Sequence, residues 1–168
     1  MRLLQILAIG LAVAASGQTP TPPAATTYKG HDALDHWVGE WDVFMGGQKV
    51  GSSVIEKTLK GFGVTEHWTS ARGGQGRSFF VFDAADGTWR QLWISDTGWI
   101  VQKTGKPIQG GISLEGESKY PSGKKTKSRE KLTKNADGSV RQLIEDYDEA
   151  TKKWTVAFDG KYVRKGDR

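Results

Sequence analysis

Apolar and polar residues alternate along most of the chain, and the alternating runs are cut by short clusters of Gly, Asp, Asn and Ser. Turn signals recur at Gly46-Gly47, Gly61-Phe62-Gly63, Gly73-Gly74-Gln75-Gly76, Asp86-Gly87, Asp96-Thr97-Gly98, Gly110-Gly111, Pro121-Ser122-Gly123, Asp137-Gly138 and Asp148-Glu149-Ala150. Period-two alternation bounded by such clusters is the pattern of strands with one buried face. It predicts strands over 41–45, 51–59, 64–70, 77–83, 89–95, 99–104, 112–117, 125–132, 139–147 and 154–165. Between Asp32 and Trp37 there is room for one helical turn with Leu34 and Trp37 on one face. No connection is long enough for a crossover helix, so the strands must pair antiparallel. A sheet of that many strands hides its two edges most simply by closing on itself. The expectation is therefore an all-β domain, an antiparallel up-and-down barrel of eight to ten strands with a short N-terminal helical turn. A β-sandwich is the alternative.

The first residues break the pattern. Met1-Arg2 is followed by an apolar run to Ala15, interrupted only by Gln5 and Gly10, and then by small residues. The run is short of the ~20 residues a membrane-crossing helix needs, and it reads as a secretory signal peptide over 1–17. Residues 18–27 hold three of the five prolines, Pro20, Pro22 and Pro23, and read as an extended linker. The barrel domain would occupy 28–168, in an exported protein, periplasmic or secreted.

Composition agrees. There are 22 glycines and 7 tryptophans in 168 residues, which suits tight turns and large inward side chains more than helices. Cysteine is absent, which excludes disulfides, thiolate metal sites and a cysteine nucleophile.

Parity assigns the faces. Trp89, Gln91 and Trp93 share one side of their strand, as do Val64, Glu66 and Trp68, and Ser78, Phe80 and Phe82. Val140, Gln142 and Ile144 alternate in the same way. If these sides face inward, Glu66, Gln91 and Gln142 enter an aromatic chamber with Trp68, Phe80 and Trp93. Apolar walls with a few convergent polar groups make a ligand pocket; the same alternation also fits a filled core whose polar groups bond one another. The candidate ligand-binding residues are thus Glu66, Trp68, Phe80, Gln91, Trp93 and Gln142.

Two terminal motifs carry a resemblance. Gly39-Glu40-Trp41 opens the first strand and Tyr162-Val163-Arg164 closes the last. This resembles the signature of the calycins, the lipocalin and fatty-acid-binding superfamily, and implies that Trp41 packs under Arg164 at a closed barrel end. The ordered segments 37–43, 66–68, 89–93, 137–142 and 154–164 are also similar to a family of exported bacterial proteins of unknown function with a lipocalin-like barrel. The stretch 148–154 departs from that pattern, lacking an expected glycine pair after Asp148. The resemblance implies a fold and an exported location and no reaction. Nitrobindin-like barrels share the architecture and hold haem through a late histidine, but no histidine follows His67 here.

Other chemistry has less support. His31, Asp32, Asp35 and His36 cluster at the opening turn at a spacing that fits no established metal pattern, so no metal and no cofactor is expected. His67 faces away from Glu66. No serine has a nucleophile elbow, and Gly73 to Gly76 precedes no helix. Lys119, Lys124, Lys125, Lys127, Arg129, Lys131 and Lys134 make a basic hairpin with only Glu130 against them. It is either a solvated edge or a weak contact for an anionic envelope surface. Arg129 could pair with Glu66, although its parity places it outside. The formal charge is +5, but nucleic acid is not an expected partner of an exported protein. The reading is a binding module for a small apolar or amphipathic molecule, more than an enzyme. The alternatives are an enzyme using a buried Glu66 carboxyl, or an envelope interaction protein using hairpin 119–134.

Overall fold

The computed structural model describes residues 28–166; the signal-peptide and linker readings of 1–17 and 18–27 lie outside the described residues. Ten strands follow one another: β1 (Gly39–Met45), β2 (Gln48–Thr58), β3 (Gly63–Ser70), β4 (Gln75–Asp83), β5 (Thr88–Ser95), β6 (Ile100–Ile108), β7 (Gly111–Lys119), β8 (Lys125–Lys134), β9 (Val140–Asp148) and β10 (Lys153–Arg164). Each pairs antiparallel with its neighbours in sequence, and β10 returns to pair with β1, closing the barrel. Closure leaves no strand edge unpaired, and it excludes the sandwich.

The expected strand 99–104 runs instead over Ile100–Ile108. Gly105 and Pro107 look like breakers in sequence, yet Gly105 pairs with Leu114 and Pro107 with Ile112. A Cβ on Gly105 would collide with the Ser113 carbonyl, so glycine there permits the close approach of two backbones. In the turn after Asp148, Lys152 adopts φ +56°, a left-handed conformation that glycine would take freely.

One end of the barrel is plugged. Leu34 and Trp37, brought in by a 3-10 turn at Asp35–Trp37, are fully buried. Trp37 meets Phe80 and Tyr162 edge to face, with centroids 5.5 and 5.7 Å apart. Trp41 Nε1 donates to the Trp37 carbonyl (2.7 Å). Trp41 is opposite Arg164 in the β1–β10 register, and the guanidinium lies 4.4 Å from the Trp41 ring centre. Arg164 Nη1 also donates to the Val38 carbonyl (3.2 Å). The glycine of Gly39-Glu40-Trp41 has a physical reason: Gly39 has φ +131°, and a Cβ there would run into Arg164 Nη1. Glycine thus makes room for the cation to cover the indole.

Candidate functional site

Above this plug the interior is not filled. A cavity of about 260 Å³ lies inside the barrel, lined by inward side chains of β3 to β10. Its walls follow from the registers. Glu66, Ser78, Trp93, Val101 and Ser118 are successive partners across β3 to β7 and form one row. Gln91, Lys103, Gly116, Ser128 and Asp146 form a second row across β5 to β9. A register shift in β10 between Val156 and Phe158 turns both Ala157 and Phe158 toward the cavity.

The aromatic walls stand on glycines. A Cβ on Gly76 would fall within the Trp93 ring, one on Gly51 would touch the Trp68 ring, and one on Gly160 would meet Phe158. Each ring covers a glycine on a paired strand or its own strand, which is how a large aromatic compensates for a missing side chain. The rings therefore line the wall and leave the space between them open. Trp68 and Phe158 meet at right angles with centroids 6.2 Å apart. Trp99, just before β6, stacks on Tyr120 at 5.4 Å.

The floor is a chain of hydrogen bonds. Glu66 accepts from Ser53 Oγ (2.8 Å) and Ser78 Oγ (3.0 Å). Its Oε1 lies 3.1 Å from the Tyr162 hydroxyl, which lies 2.6 Å from Gln142 Oε1. Gln142 Nε2 donates to Glu130 Oε1 (2.7 Å), and Lys103 Nζ donates to Glu130 Oε2 (2.9 Å). The Lys103 and Glu130 side chains are 2% and 0% exposed. Burial pushes the Glu66 carboxyl up to about 7; the serine hydroxyls pull against that rise, and nearby Glu130 adds to it. Burial, with Glu66 and Glu130 nearby, raises the Tyr162 phenol well above its ordinary value.

Tyr162 has a single hydrogen to share. It is placed to donate to Glu66 Oε1 or to Gln142 Oε1. A protonated Glu66 would let the chain run in one direction, Glu66 to Tyr162 to Gln142 to Glu130, with Lys103 closing it at the far end. Burial favours that protonation state.

Toward the opposite end the lining is incompletely partnered. Ser128 Oγ, Asp146 Oδ1 and the indole N–H groups of Trp93 and Trp99 are buried there without a protein partner, and so is Gln91 Oε1, beside the plug residue Phe80. All five residues line the cavity. Buried polar atoms are nearly always satisfied in folded proteins, so this concentration sets the upper cavity apart from the bonded floor.

Glu66, Trp68, Gln91, Trp93 and Gln142 are brought together as expected from parity. Phe80 is not. It points inward but belongs to the plug, packed on Trp37 below the cavity. The possible Arg129–Glu66 pair does not form: Arg129 Nε bonds Glu145 (2.7 Å) on the outside, with its guanidinium 4.4 Å from the Trp154 ring centre. Glu130 does not offset the basic hairpin, because it is inside with Lys103. The hairpin's counter-charges are Glu117, Glu145 and Glu149 on its flanks. His67 is exposed, 3.9 Å from Glu56. Among the described residues no group of three or more His, Cys, Asp or Glu is placed to hold a metal ion.

Sequence reasoning missed Lys103, Tyr162, Asp146 and Trp99. Lys103 alternates with Val101, a usable signal, but a lysine reads as solvated. Asp146 lies on the same alternation as Gln142 and Ile144. Tyr162 was legible only as part of the closing motif, and Trp99 only as the start of a strand. No protein-family model matches the chain, and comparison with curated proteins gives no match.

Proposed function

We propose that the protein is a binding module that holds one small ligand inside the barrel, exported to the periplasm or beyond. The observation that carries this reading is the cavity itself: aromatic walls, a polar floor, and unpartnered polar atoms toward the end away from the plug. Pockets for small molecules combine apolar walls with a few convergent polar groups in this way. The size narrows the ligand. A cavity of about 260 Å³ suits a one- or two-ring molecule better than a long acyl chain.

The enzyme reading has one favourable feature, a Glu66 carboxyl in contact with the titratable Tyr162. Both groups are engaged in the floor, however, and every partner of Glu66 holds it in place. The basic hairpin is salt-bridged on its flanks, which supports its being a solvated face; in a closed barrel it is not an edge. The test of binding is intrinsic tryptophan fluorescence titrated with small aromatic probes, in the wild type and in Trp93→Ala. A saturable change that is lost in Trp93→Ala supports a ligand site; a flat response to every probe argues for an inert core.

A further inference from the structure

Among the described residues, the cavity combines enclosure, fixed charge and unpartnered polar atoms. Resting on the binding reading above, we infer that the ligand is a small organic cation, an arylalkyl amine whose ammonium is received by Asp146.

The charges leave little choice of sign. The ionisable side chains facing the cavity or its floor are Glu66, Lys103, Glu130, Asp146 and Tyr162. Lys103 is the cation among them, and it is bonded to Glu130 at 2.9 Å. That pair sums to zero. Tyr162 and a protonated Glu66 add nothing, so the remaining charge is the Asp146 carboxylate, and ionisation of Glu66 would make the interior more negative. Among the side chains that line the cavity or its floor, no uncommitted cation would receive an anionic ligand.

The surroundings of Asp146 suit an ammonium. One oxygen, Oδ2, accepts from the Tyr120 hydroxyl at 3.4 Å, while Oδ1 is buried without a protein partner. Ser128 is directly opposite in the β8–β9 register, only 1% exposed, and its Oγ is unpartnered too. Tyr120 is stacked on Trp99, and the Lys124 ammonium lies over the Tyr120 ring at 5.9 Å, an internal example of a cation beside this aromatic pair. An ammonium has three donors and is attracted to ring faces. Its aryl group would fill the space between Trp68, Trp93 and Phe158. The outer surface is basic, so the preference comes from the interior and not from the net charge.

The test is calorimetry of the whole chain with three probes of nearly one shape: 2-phenylethylamine, 2-phenylethanol and phenylacetate. The amine should bind at least about tenfold more tightly than the alcohol, the scale of one charge-assisted hydrogen bond, and phenylacetate should bind least. In Asp146→Asn the amine should fall to the level of the alcohol, with the alcohol itself little changed. The alcohol or phenylacetate binding as tightly as the amine would overturn the cation assignment while leaving the binding module standing. A preference that survives Asp146→Asn would overturn the role of Asp146, and no binding by any probe would overturn both readings.

Discussion

The Tyr162 hydroxyl and Glu66 Oε1, 3.1 Å apart, join the two halves of the barrel floor. Residues 96 positions apart in the chain share a proton there because β10 closes on β1 and β3 stands one strand beyond β2. The hydroxyl is placed to donate to Glu66 or, at 2.6 Å, to Gln142 Oε1. A buried carboxyl raised to about 7 is part of the structure of the floor.

Linkage gives that proton a measurable sign. The folded carboxyl is raised from 4.5 to about 7, so the folded chain binds more protons than the unfolded one between those values. Its contribution to stability is fully present below pH 4.5, declines as the pH rises, and is lost above about 7. Relative to Glu66→Gln, the wild type should lose about 3 kcal/mol across that window. Urea unfolding of both proteins at pH 5 and pH 8 measures the difference. Parallel pH profiles would mean that Glu66 is already ionised in the folded state.

The buried Lys103–Glu130 pair makes a second prediction. Removing one member leaves the other charged and uncompensated, at a cost of about 3–5 kcal/mol. Lys103→Met should be that costly, whereas Lys103→Met combined with Glu130→Leu should recover most of the loss. A double-mutant cycle by chemical denaturation checks it; strictly additive losses would show that the two side chains do not act as a pair.

How much of this was legible follows from what alternation can and cannot encode. Parity alone gave the inward faces of β3, β4, β5 and β9, and closure followed from the lack of crossovers. The resemblance carried by Gly39-Glu40-Trp41 and Tyr162-Val163-Arg164 implied that Trp41 and Arg164 meet at one end, and the reason for Gly39 became visible only in the structure. Parity does not give height along the barrel axis. Phe80 was therefore placed in the cavity although it belongs to the plug. Glu130 alternates with Ser128 and Leu132, but its partner Lys103 comes from two strands away in the sheet, a relationship set by strand tilt and register that no local window contains. The same holds for Asp146, whose significance depends on Tyr120 and Ser128 as neighbours.

The plug should dominate stability. Trp41 is fully buried under Arg164, and Trp41→Ala should cost about 3–5 kcal/mol. Arg164→Ala should cost less, about 0.5–1 kcal/mol for an exposed cation over an indole. Thermal and urea denaturation rank the two. Equal effects would contradict the stacked arrangement as the source of the difference.

Gly76→Ala tests the aromatic wall. Its methyl group would occupy the place of the Trp93 ring, so the ring must turn into the cavity or the strands must part. Overpacking of this kind costs about 1–3 kcal/mol, and the near-ultraviolet circular dichroism and fluorescence maximum of Trp93 should shift. A variant with native stability and spectrum would show that the ring does not rest on Gly76.

The most direct test of the cavity as a binding site is Ser128→Leu. Ser128 lines the cavity and is buried with an unpartnered hydroxyl, so an apolar side chain removes an unsatisfied group and fills part of the void. Stability should rise by about 1 kcal/mol, and titration of 2-phenylethylamine, saturable and one-to-one in the wild type, should give no binding heat in the filled variant. Binding of equal strength in both proteins would place the ligand outside the barrel and contradict the cavity as its site.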